Sequence, residues 1–267
     1  MISPLFESLV SNNMTLLPLE LDNENPLEGG EMENYQRVGD KAEPKFKLQL
    51  DDKDVNLEEL QDLMEYPRLK TVGELWLNRN DFGDEGVELL SNAKALSGLQ
   101  VLSLASNKLT NRAVFAMADS KILINLKRLF VHANFLGSEG VGNLGQSESM
   151  VSLEFLYLKQ NPLGPEGARA LAGSSTFENI RELYLGRTKL GDDGIDFLCS
   201  GKPWPNLTAL SLAQNSLGNK AAEMLAKTRS FPKLVTLDLY GNRISDEAID
   251  IIRNSQHLKC LKALQVN

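Results

Sequence analysis

Apolar residues recur every 27 positions along most of this chain, at Val72, Leu99, Leu126, Leu153, Ile180, Leu207, Leu234 and Leu261. Behind each stands a fixed pattern: apolar at the fourth and sixth places, Asn at the ninth, apolar again at the eleventh. Leu99-x-x-Leu102-x-Leu104-x-x-Asn107-x-Leu109 is a clean copy. A period of this length predicts a solenoid, in which each unit buries its apolar face against its neighbours because it cannot do so alone.

Each unit has two halves with different periodicity. In Leu75-Trp76-Leu77 and Leu156-Tyr157-Leu158 the leucines alternate with an outward residue, which predicts a short strand with one face in the core. The second half, as in Gly164 to Ala172, spaces small and apolar residues for a helix packed on the strands. Pro165 suits the first helical turn, where its missing N–H costs nothing. One more apolar residue closes each unit: Leu96, Leu123, Met150, Phe177, Trp204, Phe231 and Leu258. Stacked units predict a parallel sheet lining the inside of an arc, with helices outside.

The ninth position holds Asn80, Asn107, Asn134, Asn161, Asn215 and Asn242, with Thr188 in the remaining unit. A buried amide both donates and accepts, so a stacked Asn ladder satisfies turn backbone that no sheet reaches. These amides are therefore read as structural.

The run LxxLxLxxNxLGxxGAxxLA from Leu153 to Ala172 resembles the ribonuclease-inhibitor-like leucine-rich repeats, and the resemblance extends over residues 45–267. It implies the α/β class: a leucine-rich-repeat solenoid shaped as a right-handed α/β horseshoe, its parallel sheet concave and its helices convex. The uniform 27-residue unit, with Ser91 or Ser174 after the helix, is more similar to bacterial members. The organisation expected is a flexible acidic tail (1–44), an N-terminal cap repeat (45–71), seven 27-residue repeats (72–260) and a partial repeat (261–267). The cap keeps the register through Leu48, Leu50 and Val55, but its turn reads Asp51-Asp52-Lys53-Asp54 where the ladder Asn belongs. Polar and atypical is what an end repeat requires.

Charge changes the picture at one end only. Of a net −8, residues 1–44 hold nine acids against Arg37 and Lys41, and the remainder holds 27 acids against 26 bases. The near-neutral repeats argue against nucleic acid as a partner. Within the tail, Leu5, Phe6, Leu9 and Val10 suit a short amphipathic helix, and Asp22–Glu33, with Pro26 and Gly29-Gly30, reads as a linker. No Lys or Arg precedes the apolar start and no run approaches membrane-spanning length, so no membrane partner is expected. Cys199 and Cys260 occupy different repeat positions, which suits reduced thiols and a cytoplasmic location. Export as an effector, through a signal in the N-terminal stretch, stays open beside it.

Candidate chemistry is sparse. Gly140-Val141-Gly142-Asn143-Leu144-Gly145 matches a dinucleotide-binding spacing, but Gly140 stands where every unit places a small residue, as at Gly86, Gly167 and Gly194. His132 and His257 have no acidic or thiol neighbours at ligand spacing. No catalytic residue, cofactor or metal is expected, and the chain is read as a non-enzyme.

The informative positions point out of the concave face. Between the core leucines stand Trp76, Ser103, Phe130, Tyr157, Tyr184, Ser211 and Asp238, with a run of three aromatics bracketed by Ser103 and Ser211. Flanking columns add Arg128, Phe155 and Glu182 on one side, His132, Lys159 and Tyr240 on the other, and Arg187 in the turn beyond. Exposed aromatics beside arginine are the residue types that dominate interface energies. The expected partner-binding set is Trp76, Arg128, Phe130, His132, Phe155, Tyr157, Lys159, Tyr184, Arg187, Asp238 and Tyr240, on a scaffold for another protein. Mutual stabilisation of the rings across strands, with no partner, is the plainer alternative. A bacterial effector binding a host protein shares the same surface. A GTPase-activating role, which one branch of the resembled family has, would fall to Arg79, although its loop is as short as every other. Strand 261–266 is a further candidate for self-association through its edge.

Overall fold

The structure, a computed structural model, describes residues 3–18 and 45–266. Its ten strands form one sheet in chain order. Strand β1 (Met14–Leu16) runs antiparallel to β2 (Phe46–Gln49). Every later strand is parallel to its predecessor: β3 (Val72–Trp76), β4 (Val101–Ser103), β5 (Arg128–Phe130), β6 (Phe155–Tyr157), β7 (Glu182–Tyr184), β8 (Ala209–Ser211), β9 (Thr236–Asp238) and β10 (Ala263–Gln265). Helix α1 (Pro4–Asn12) precedes β1. The strands from β2 to β9 are each followed by one helix: α2 (Leu57–Met64), α3 (Gly83–Asn92), α4 (Asn111–Asp119), α5 (Ser138–Leu144), α6 (Gly164–Gly173), α7 (Gly191–Ser200), α8 (Asn219–Lys227) and α9 (Asp246–Arg253). The result is the α/β horseshoe that the period predicts.

The register shows why the period is rigid. Leu75, Leu102, Leu129, Leu156, Leu183, Leu210 and Leu237 are Cα partners in succession across the sheet, and all are buried. A shift of one residue would turn each of these leucines to the concave face. Each contributes roughly 1.5–3 kcal/mol on burial. Two polar ladders flank this core. At the ninth position, Asn107 Oδ1 accepts from Asn80 N (2.8 Å) and Asp81 N (3.0 Å), while its Nδ2 donates to Leu77 O (2.8 Å). At the other edge, Ser120, Ser147 and Ser174 donate through Oγ to Ser91 O, Ala118 O and Gly145 O at 2.6–2.7 Å. Those carbonyls end the helix of the preceding repeat, where no intrahelical donor reaches.

The turn after each strand has a left-handed residue in register: Arg79, Ser106, Ala133, Gln160, Arg187 and Gln214 at φ 55–59°, then Gly241 at 71°. Gly140 is a packing glycine, since a Cβ there would lie 2.6 Å from Asn111 Oδ1 on the neighbouring helix.

The structure differs from the sequence reading at the start of the chain. Residues 3–18, assigned to a flexible tail, form α1 and β1, and both belong to the folded body. Ser3 caps α1 by accepting from Phe6 N, Pro4 opens it, and Phe6 and Val10 are buried in the shared core. Strand β1 pairs with β2, through Met14 opposite Leu48, and covers the edge that the parallel stack leaves open. An apolar stripe four residues apart marked the helix. A three-residue strand is too short for alternation to reveal it. The acidic stretch from Glu20 to Glu43 lies outside the described residues, as does Asn267.

Candidate functional site

Strand alternation that buries the leucines sends the residue between them to the concave face, and the parallel register stacks these residues into a column. Four rings of that column form one continuous stack. Centroids of Phe130 and Tyr157 are 4.2 Å apart at 23°, and those of Tyr157 and Tyr184 are 4.2 Å apart at 8°. Trp76 joins them at 5.3 Å and 34° from Phe130, although β4 lies between. Strands two apart are separated by roughly 10 Å, so the Trp76 and Phe130 rings lean towards each other over Ser103. Ser103 is 1% exposed beneath them and donates to Asn78 Oδ1 at 2.7 Å. It does not bracket the aromatic run, as its place in the sequence suggested; it floors the run. A larger side chain there would push the rings apart.

Cations and carboxylates frame the stack. Lys47 Nζ lies 4.4 Å from the Trp76 centroid, on the end opposite Tyr184, and Trp76 Nε1 donates to Glu74 Oε2 at 3.1 Å. Arg128 Cζ lies 4.5 Å from the Phe155 centroid. Glu182 Oε2 accepts from Tyr184 Oη (2.9 Å) and Tyr157 Oη (3.3 Å). Burial first, and then the Glu182 carboxylate, raises both phenols above the ordinary tyrosine range. Asp238 is held from two sides: Oδ2 accepts from Ser211 Oγ (2.7 Å) and Oδ1 from Tyr240 N (3.0 Å).

The remaining expected residues divide. Tyr240 is 50% exposed and Lys159 is exposed. Arg187 leaves the sheet at its left-handed turn and bonds Gln214 with Nε. His132 is half-buried and its Nδ1 has no partner among the described residues. Burial, then Lys159 and Arg79, lowers its pKa, so it adds no positive charge to the face at neutral pH. Arg79 forms an ion pair with Asp52 of the preceding turn, which accounts for it structurally. Lys47 was missed, because its strand belongs to the irregular first unit; its signal was the 27-residue step to Glu74. The six ladder Asn residues are all buried in the turns and Thr188 with them.

Among the described residues no three metal-ligating side chains come together, and no helix is long and apolar enough to cross a membrane. Cys199 and Cys260 are unpaired thiols, and burial pushes Cys199 up to about 12.

Sequence profiles described as Leucine Rich repeat match residues 70–91, 149–172 and 205–226, and a second such profile matches 233–255. The chain contains leucine-rich repeats. Leucine-rich repeats are commonly protein-interaction scaffolds without enzymatic activity of their own. No curated protein sequence matches this chain. Solved structures similar to it include an internalin from Listeria monocytogenes, with TM-score 0.47 and 18% identity over 79% of this chain and 59% of that one. A chain of the yeast Rad7 and Elc1 complex has TM-score 0.49 and 17% identity over 78% and 58%. The ectodomain of the Arabidopsis thaliana receptor kinase GASSHO1/SCHENGEN3, in complex with CASPARIAN STRIP INTEGRITY FACTOR 2, has TM-score 0.40 and 20% identity over 76% and 22%. This chain thus spans less than two thirds of the length of each.

Proposed function

We propose that this protein is a scaffold whose concave sheet face binds another protein. One observation carries the reading: the half-exposed four-ring stack of Trp76, Phe130, Tyr157 and Tyr184. Rings in such a stack are already ordered by one another, so a partner that covers them loses little side-chain entropy and removes a large apolar edge from water. Arg128, Phe155, Lys159 and Tyr240 widen the patch, and Arg187 and His132 border it on the turn side. Stacking within the chain accounts for part of the rings' presence, as the plainer alternative held, but leaves their outward edges in solvent.

The test is affinity capture from native cells with wild type and a Phe130→Ala/Tyr157→Ala/Tyr184→Ala variant. The variant is expected to stay folded and to lose the partner that wild type recovers. Its stability falls too, since three ring contacts disappear at about 0.5–1.5 kcal/mol each. Undiminished recovery by a folded variant would sink the concave-face assignment.

A further inference from the structure

The concave face treats two of its ring surfaces alike. Lys47 covers the end face of Trp76 and Arg128 covers Phe155, each cation within about 6 Å of the centroid, where a ring's negative face attracts it. Tyr157 covers one face of Tyr184, so the other face of Tyr184 looks along the sheet over β8. Among the described residues no ring or cation of this chain lies on that outer face.

What lies beneath it is small. Ala209 and Ser211 occupy β8, in register with Glu182 and Tyr184, and Ala213 follows. At β4 the matching serine is sealed because aromatic rings stand on both sides and lean together. At β8 the flanking residues are Tyr184 and Asp238, and Ser211 stays half-exposed. Two strand spacings, roughly 10 Å, separate the backbone at Tyr184 from that at Asp238. That width holds one planar group stacked on the ring with a carboxylate beyond it.

Charge selects the group. The outward positions of β7, β8 and β9 are Glu182, Tyr184, Ala209, Ser211, Thr236 and Asp238, with two carboxylates and no base. Glu182 directs an oxygen to the Tyr184 hydroxyl. The bond from Ser211 Oγ draws the Asp238 carboxylate over β8; with Tyr240 N on Oδ1, one lone pair on each oxygen stays available. The nearest bases lie outside these positions. Arg181 is paired with Glu154 at 3.2 Å, the Lys159 stem passes over Gly186 on the turn side, and Arg187 bonds Gln214.

We propose that this recess over β8 receives an arginine side chain of the bound protein, its guanidinium stacked on Tyr184 and paired with Asp238. Arginine fits better than lysine because its planar fork stacks on a ring and meets a carboxylate with two parallel bonds. The inference rests on the concave-face reading and names the chemistry that the partner brings to one end of it.

The probe is fluorescently labelled acetyl-tetra-arginine amide, titrated with the full chain at low salt, beside the tetra-lysine and tetra-glutamate peptides. Saturable binding of tetra-arginine is expected, tighter than tetra-lysine, with no binding of tetra-glutamate. Asp238→Asn and Tyr184→Leu should each weaken it at least fivefold. Tyr184→Phe, which keeps the ring, and Glu247→Gln, on the convex helix α9, should leave it within twofold. Should Tyr184→Leu misfold, the Asp238→Asn and Tyr184→Phe arms still decide. Equal binding by wild type and Asp238→Asn would mean attraction to the overall negative charge alone and would overturn the proposal, as would failure of tetra-arginine to bind. Those outcomes leave the capture experiment untouched. A partner lost from the triple-alanine variant, with peptide binding indifferent to Asp238, removes this inference and keeps the concave-face reading.

Discussion

Replacing Asn107 by alanine isolates what a ladder amide contributes to the solenoid. The residue is fully buried. Its side chain accepts from Asn80 N and Asp81 N and donates to Leu77 O at 2.8 Å and Ala105 O at 3.3 Å. Alanine leaves at least Asn80 N and Leu77 O without a partner in a site too closely packed for easy hydration. Each orphaned buried group costs about 1–3 kcal/mol, so Asn107→Ala should destabilise by roughly 2–5 kcal/mol once a small gain in side-chain entropy is subtracted. Asn107→Thr should cost nearly as much, because at Thr188 the hydroxyl donates only within its own repeat, to Leu185 O at 2.6 Å, and makes neither of the bonds to the preceding repeat that Asn107 makes to Asn80 N and Leu77 O. Urea unfolding followed by far-ultraviolet circular dichroism measures both variants. Because repeats unfold as coupled neighbours, hydrogen exchange at 77–81 and 104–109 should show the loss concentrated beside the substitution. A cost under about 1 kcal/mol for Asn107→Ala would refute the ladder argument.

Two further outcomes follow from the same structure. Thr188→Asn should stabilise by roughly 0.5–2 kcal/mol, since an amide there can also donate to Leu158 O of the preceding repeat, as Asn215 does to Leu185 O; a lower urea midpoint would contradict this. His132 is held below its ordinary pKa, chiefly by burial, so its neutral form is favoured on folding. Its contribution is intact above the unfolded value near 6.5 and is lost as pH falls through the lower folded value. His132→Gln should therefore flatten the decline in stability just below pH 6.5, and an unchanged profile would show that other groups cause it.

The sheet, the alternating helices, the buried leucines and the Asn ladder were legible in the sequence because the period repeats each signal seven times. One strand of three residues, such as Leu156 with its neighbours, says little alone; the same spacing at 75, 102, 129, 183, 210 and 237 leaves one register. The column Trp76, Phe130, Tyr157, Tyr184 was legible for the same reason, as was its placement on the concave face.

Features that depend on relations between columns were decided only in three dimensions. The rings close over Ser103 because side chains lean across strands, a freedom that register does not constrain. Lys47 reaches Trp76 from a unit whose turn breaks the repeat, and Glu182 gathers two hydroxyls from adjacent strands. The serines after each helix were visible as a recurring residue, but their bonds to the preceding repeat's carbonyls follow from how helices stack. At the beginning of the chain, α1 and β1 lie outside the period altogether. Phe6 and Val10 are buried because the first parallel strand needs a neighbour on its open edge. Periodicity determines what each repeat does to the next; it carries no information about how the series is closed, and there the tertiary packing alone set the answer.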